Sequence, residues 1–218
     1  MKPLVSERQA KPKAVIFDIG RVIINLDLAR AFAPLAAVIV DKNGSALRLS
    51  PDDVWKMVRE DERWIDWQEG RLSPQEWYEH LMRQLKLSLT YVQFRDAWNL
   101  VLHPQTILPD GLFARLGERC RLALLSNTDP LHLEAIKERF TFGRHFPVRI
   151  YSCSVGMSKP SPTIYRATLD ALGVSASEAL YVDDIQEFVD AARALGLDAI
   201  RFESRGELER QFRSRDLL

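Results

Sequence analysis

Five short apolar runs, each closed by small or polar residues, constrain this chain more than any other feature. They are AVIFDIG (14–20), LALLSN (122–127), RIYSCS (149–154), ALYVDD (179–184) and DAIRF (198–202). Runs of this length bounded by turn-forming residues read as buried strands. Helical patterns separate the last four: Asp129-Pro130 opens one, Ser161-Pro162 opens the next, and Ser175 with Glu178 has the form of a capping box. Gly173 and Gly196 supply helix stops. Strands alternating with helices predict an α/β domain, a doubly wound parallel sheet covered on both faces.

The gap between the first and second runs, residues 27–105, shows no strand pattern and several capped amphipathic segments, so an all-helical insert is expected there. Helix starts are predicted at Ser50-Pro51 with Asp53, at Ser73-Pro74 with Glu76, and at Thr90 with Gln93. All five tryptophans (Trp55, Trp64, Trp67, Trp77, Trp98) fall in this stretch, which favours a bundle with its own small core. Trp64 and Trp67, beside the Glu69-Gly70 turn, are the best candidates among them for contact with a ligand. The expected organisation is a polar N-terminal tail over 1–13, a core over 14–26 and 106–218, and the helical insert over 27–105. The closing ELERQFRSRDLL reads as a surface helix.

A chain of 218 residues can bury roughly 70% of its surface and needs no disulfides to fold. Thirty Lys plus Arg balance thirty Asp plus Glu, which removes the strong field of nucleic-acid and membrane-surface binders. Cys120 and Cys153 sit in apolar runs, as buried thiols of a reduced compartment do. With no signal peptide and no membrane-length apolar run, a soluble cytoplasmic protein acting on a small partner is expected. The four histidines show no metal spacing and read as structural or exposed.

In an open parallel sheet, ligands bind beyond the carboxyl ends of the strands. Those ends carry Asp18, then Ser126 and Asn127, then Asp183 and Asp184, while Lys159 follows the third run through SVGMSKPSP. Singly, each has a structural explanation as a turn, cap or surface residue. Together they suit an oxyanion held with a divalent cation: carboxylates for the metal, and lysine, hydroxyl and amides for phosphoryl oxygens.

The ordered set FDIGRVI, LLSNTD, SVGMSKPSPTIY and YVDD resembles the four motifs of the haloacid dehalogenase-like hydrolase superfamily, from Ala14 to Phe202. The resemblance implies a Rossmann-like core with a helical cap. Within the superfamily, WQEGRLSPQEW, LSNTDPLH, GMSKPSPTIY and the paired acids are similar to bacterial sugar phosphatases of the α-D-glucose-1-phosphate phosphatase type. By matching position, Asp18 would be the nucleophile that forms an aspartyl-phosphate, and would also ligate Mg²⁺. Ser126 and the Asn127 amide would bind phosphoryl oxygens, and Lys159 would neutralise the transferring group. Asp184 and the Gly20 carbonyl would hold Mg²⁺, with Asp183 as a further ligand or the partner of a metal-bound water. The implied substrate is a small phosphorylated metabolite, with the cap closing over it.

Two positions depart from the superfamily pattern. Gly20 stands where most of these phosphatases carry a second Asp as general acid, a loss worth on the order of 10²–10⁴ in rate. The sugar phosphatase subgroup shares that glycine, and a good leaving group, Asp27 or Glu69 would compensate. Phe188 stands where relatives carry an Asp or Asn that buttresses the metal site or the lysine, which a phenylalanine is not expected to do. In addition, Asn25 replaces an acid of close relatives. Trp64, Trp67, Glu69 and Arg71 are the cap candidates for reading the substrate. A metal-independent 2-haloacid dehalogenase and a phospho-ligand binder without turnover are the alternative functions. The paired acids Asp183-Asp184 count against the first, and the retained Asp18 against the second.

Overall fold

The computed structural model describes residues 11–39, 45 and 47–218. Of the tail expected over 1–13, residues 1–10 lie outside that range. Pro12 is already buried, and the Lys13 N–H donates to the Glu178 carbonyl at 2.8 Å.

Among the described residues the strands are β1 (Ala14–Phe17), β2 (Ile24–Leu26), β3 (Leu102–Thr106), β4 (Arg121–Ser126), β5 (Val148–Tyr151), β6 (Ala179–Asp183) and β7 (Asp198–Arg201). All five apolar runs contribute a strand to one parallel sheet, ordered β5-β4-β1-β6-β7. The helices are α1 (Leu28–Ala36), α2 (Pro51–Arg59), α3 (Trp64–Gln68), α4 (Pro74–Gln84), α5 (Tyr91–Trp98), α6 (Asp110–Gly117), α7 (Pro130–Arg139), α8 (Ser152–Val155), α9 (Pro162–Leu172), α10 (Gln186–Ala194) and α11 (Arg205–Ser214).

Alternation along β1 shows why its run is apolar throughout. Val15 and Phe17 share a core with Phe113 of α6 and Phe212 of α11, while Ala14 and Ile16 share one with Ile164 of α9 and Val189 of α10. Both faces are covered, so every position must be apolar. Phe17 meets the rings of Phe113, Phe146 and Phe212 edge-on at 5.5, 5.9 and 6.0 Å. The last helix is thereby tied to the core through Phe212 and Leu208, with one polar face outward.

Three local expectations need correction. The run RIYSCS stays extended only to Tyr151; Ser152–Val155 turn into α8, closed by Gly156 in the left-handed region at φ 70°. The Ser152 hydroxyl accepts from the Thr128 N–H at 2.9 Å, a side-chain contact that anchors this turn to the neighbouring strand end. The Ser175–Glu178 capping box forms, but on a 3-10 turn leading into β6, whereas α10 starts at Gln186 without a side-chain cap. Finally, β3 lies mostly inside the stretch expected to be wholly helical, paired antiparallel with β2. Its sequence, LHPQT, has neither alternation nor β-branched enrichment beyond its threonine, so pairing rather than local propensity makes it a strand.

The insert holds α1–α5. Capping boxes form at Ser50, Ser73 and Thr90 as expected. Its aromatic core is close-packed: Trp67 stacks on Trp77 at 5.6 Å, and Trp64 meets Trp55 edge-on at 5.5 Å. Cys120 and Cys153 are free and only half-buried, less covered than their apolar context implied.

Candidate active site

The order of the sheet places β1 between β4 and β6, so the chain diverges in opposite directions from β1 and leaves a crevice at its carboxyl end. Asp18 sits there, its N–H donating to the Val182 carbonyl at 2.9 Å. Across the crevice, Lys159 Nζ lies 2.7 Å from Asp18 Oδ1 and 2.7 Å from Asp183 Oδ2, with 1% of its side chain exposed. Ser126 is buried at the end of β4. Asn127 clamps the lysine loop: its Oδ1 accepts from the Lys159 N–H at 2.8 Å and its Nδ2 donates to the Lys159 carbonyl at 2.9 Å. The next peptide bond, Lys159–Pro160, is cis.

Asp183 is fully buried and its oxygens are engaged. Oδ2 accepts from Lys159 and from the Tyr181 hydroxyl, and Oδ1 accepts from the Ile185 N–H at 2.8 Å. Asp184 is half-buried. Ligand oxygens of Asp18, Asp183 and Asp184 lie within 4.8 Å of one another, so three carboxylates face a single ammonium.

Burial first, and this excess of negative charge second, are felt by the carboxyl groups themselves. Burial pushes the Asp18 carboxyl up to about 7, with Lys159 opposing and Asp183 adding to the rise. Burial and Asp183 also raise Asp184, against the pull of Arg21. Burial alone would lower Lys159, but the charges of Asp18 and Asp183 outweigh it and keep the ammonium protonated. A set of hard oxygen donors with uncompensated charge fits a small divalent cation such as Mg²⁺.

The structure corrects the expectation at Phe188. Lys159 Nζ lies 4.9 Å from the centre of the Phe188 ring and 5.8 Å from that of Tyr181. The phenylalanine therefore does support the lysine, by a cation–π contact in place of a carboxylate. The Tyr165 hydroxyl donates to the Phe188 carbonyl at 3.0 Å and holds the ring's backbone in place. Tyr181 and Tyr165 escaped the sequence reading. Tyr181 was findable, since residues i and i+2 of a strand share a face and Asp183 follows it at that spacing.

At Gly20, a Cβ would lie 3.8 Å from Asp18 Oδ2, so a side chain there would share the crevice with Asp18, but it would also meet Leu26 Cδ1 at 3.1 Å. Neither proposed stand-in borders the cavity. Asp27 caps α1 by accepting from the Arg30 N–H at 3.1 Å, and Glu69 is held by Arg71 and by the Ser158 hydroxyl at 2.6 Å. Trp64 lines the cavity, whereas Trp67 is fully buried against Trp77 and Arg71 is engaged with Asp66 and Glu69. Asn25 is exposed on β2. His80 bonds Asp61 inside the cap, and His132 borders the cavity.

Residues 12–196 match the family model for haloacid dehalogenase-like hydrolases, and the chain belongs to that family. It is 26% identical over 187 residues to the sesquiterpene phosphatase astK of Aspergillus oryzae, covering 85% of this chain and 87% of that protein. It is also 26% identical over 202 residues to D-ribitol-5-phosphate phosphatase of Bacteroides thetaiotaomicron, covering 88% and 92%. The drimenol cyclase drtB of Aspergillus calidoustus is 25% identical over 204 residues, which are 91% of this chain but only 35% of that protein's length. The magnesium complex of a HAD family enzyme from Bacteroides thetaiotaomicron has the same fold, with a TM-score of 0.77 at 22% identity over 93% of this chain and 99% of that one. No helix among the described residues is long and apolar enough to cross a membrane.

Proposed function

We propose that this chain is a Mg²⁺-dependent phosphatase that hydrolyses a small phosphorylated metabolite through an aspartyl-phosphate on Asp18. The observation that carries this reading is the Lys159 ammonium held between Asp18 and Asp183 at the floor of the cavity. A cation fixed there neutralises an incoming phosphoryl group beside an otherwise repelling carboxylate. Asp18 attacks phosphorus as the bond from phosphorus to the alcohol oxygen breaks, that oxygen taking its proton from water, while the Ser126 hydroxyl and the Asn127 N–H hold phosphoryl oxygens. Water then cleaves the acyl phosphate and regenerates Asp18.

Asp18, Asp184 and the Gly20 carbonyl would hold Mg²⁺, with Asp183 acting on it directly or through a bound water. When bound, the metal offsets the carboxylates' charge and polarises the phosphoryl oxygens. With no acid at Gly20, the leaving oxygen departs with little protein assistance in proton transfer, so turnover of an unactivated phosphate is slow and an activated one reacts faster, whichever alcohol the cavity binds.

The two full-length relatives are named for very different alcohols, a sesquiterpene and a polyol. The motif likeness to sugar phosphatases points to a sugar phosphate, but those motifs lie chiefly at the phosphoryl end and in the turn that docks the cap. The paired acids disfavour the haloacid reading, because a carboxylate substrate would meet them without an intervening cation.

The test is phosphate release from sugar, acyl and aryl phosphates in Mg²⁺ or EDTA, beside Asp18→Asn. Turnover that needs Mg²⁺ and vanishes in the variant supports the proposal. Turnover that survives either change overturns it.

A further inference from the structure

We infer, on the phosphatase reading above, that the alcohol released from the substrate is apolar, and that the substrate is a phosphate monoester of an aliphatic or branched hydrocarbon alcohol. The catalytic crevice opens into a cavity of about 580 Å³, more than a phosphoryl group fills and within the range of small-molecule sites. Its polarity is segregated. Asp18, Ser126, Lys159, Asp183 and Asp184 occupy one end. The remainder is walled by Leu26, Leu28, Phe32, Trp55, Trp98 and Leu102, drawn from β2, α1, α2, α5 and β3.

Of the polar residues on that wall, His132 and Asp129 are already engaged. His132 presents Nδ1 to Asp129 at 2.6 Å and Nε2 to the Trp98 carbonyl at 3.1 Å. Asp129 also accepts from the His132 N–H at 2.9 Å and from Trp98 Nε1 at 3.2 Å. The Gln68 backbone carbonyl is taken by the Ser152 hydroxyl at 2.7 Å, while the Gln68 side-chain amide makes no hydrogen bond among the described residues. Arg59 stands at the exposed rim, with half of its side chain in solvent. A polyol would therefore desolvate its hydroxyls against indole and leucine faces with few partners, which disfavours it. A hydrocarbon gains from the same surface.

The test uses calorimetry of n-alkylphosphonates, which cannot be hydrolysed, from methyl to octyl in Mg²⁺. Turnover of the matching alkyl phosphates and of ribitol 5-phosphate is measured alongside, with an aryl phosphate as reference. Affinity is expected to rise about fourfold for each methylene buried until the cavity fills. Leu28→Asn is expected to flatten that rise. An affinity independent of chain length, or better turnover of ribitol 5-phosphate than of octyl phosphate, overturns the inference. Chain-length-dependent binding without turnover of any phosphate, the aryl phosphate included, upholds the apolar site and overturns the phosphatase reading instead.

Discussion

The imidazole of His132 stacks on the indole of Trp98, with ring centroids 5.6 Å apart and planes 14° from parallel. The pair joins α7, beside the sheet, to α5 in the insert, and both imidazole nitrogens face acceptors. Burial would lower the His132 pKa, but the Asp129 charge and hydrogen bond, with the Trp98 carbonyl, outweigh it and raise the value, against a smaller opposing effect of Arg139. A raised folded-state pKa contributes stability that is complete below the ordinary value near 6.5 and is lost as pH climbs through the folded one. Thermal unfolding of the protein and of His132→Gln between about pH 6 and pH 9 should show a gap that narrows as pH rises. A gap unchanged across that range would contradict the charged latch.

Phe188 and Lys159 yield a kinetic expectation. A desolvated cation–π contact is worth up to ~2 kcal/mol, and Phe188→Leu removes the ring face while retaining apolar bulk. If the ring positions the ammonium, kcat falls on the order of tenfold with the fold intact. Steady-state kinetics of the variant decide this, and an unchanged kcat would leave the ring with a packing role alone.

The Glu69-Gly70 turn docks the insert on the sheet layer. Gly70 has φ 70°, and a Cβ there would lie 2.1 Å from the Cys153 carbonyl oxygen. Backbone cannot yield as a side-chain tip can, so Gly70→Ala should cost on the order of 2 kcal/mol. In a chain of this size that lowers Tm by roughly 5 °C, readable by calorimetry.

Leu26 occupies the place into which a side chain at Gly20 would project. Gly20→Asp alone should gain little, whereas Gly20→Asp with Leu26→Ala gives the new carboxyl room beside Asp18. Rates on unactivated alkyl phosphates should then rise by up to about 10²-fold, with little change on an aryl phosphate. An equal gain on both substrates would argue against a general-acid role.

Much of the architecture was legible because burial on both faces forces continuous apolar runs, a signal that needs no knowledge of partners. Helix starts at Ser50, Ser73 and Thr90 were equally local, each set by a hydroxyl and an acceptor three residues on. β3 was not, because only its pairing with β2 makes it a strand. Nor was the end of β5, where the Ser152 side chain bonds a neighbouring strand end.

The sequence by itself determined the layered α/β frame and the polar residues that close its strands, since periodicity and strand-end chemistry are properties of neighbours along the chain. Tertiary structure alone decided that Lys159 would reach Asp18 from 141 residues away. It also decided that the Phe188 ring would lie against the Lys159 ammonium, and that leucines and tryptophans from five separate elements would wall one cavity. Those relationships depend on strand order and on how the insert packs, so contacts between distant residues create them and no local pattern encodes them.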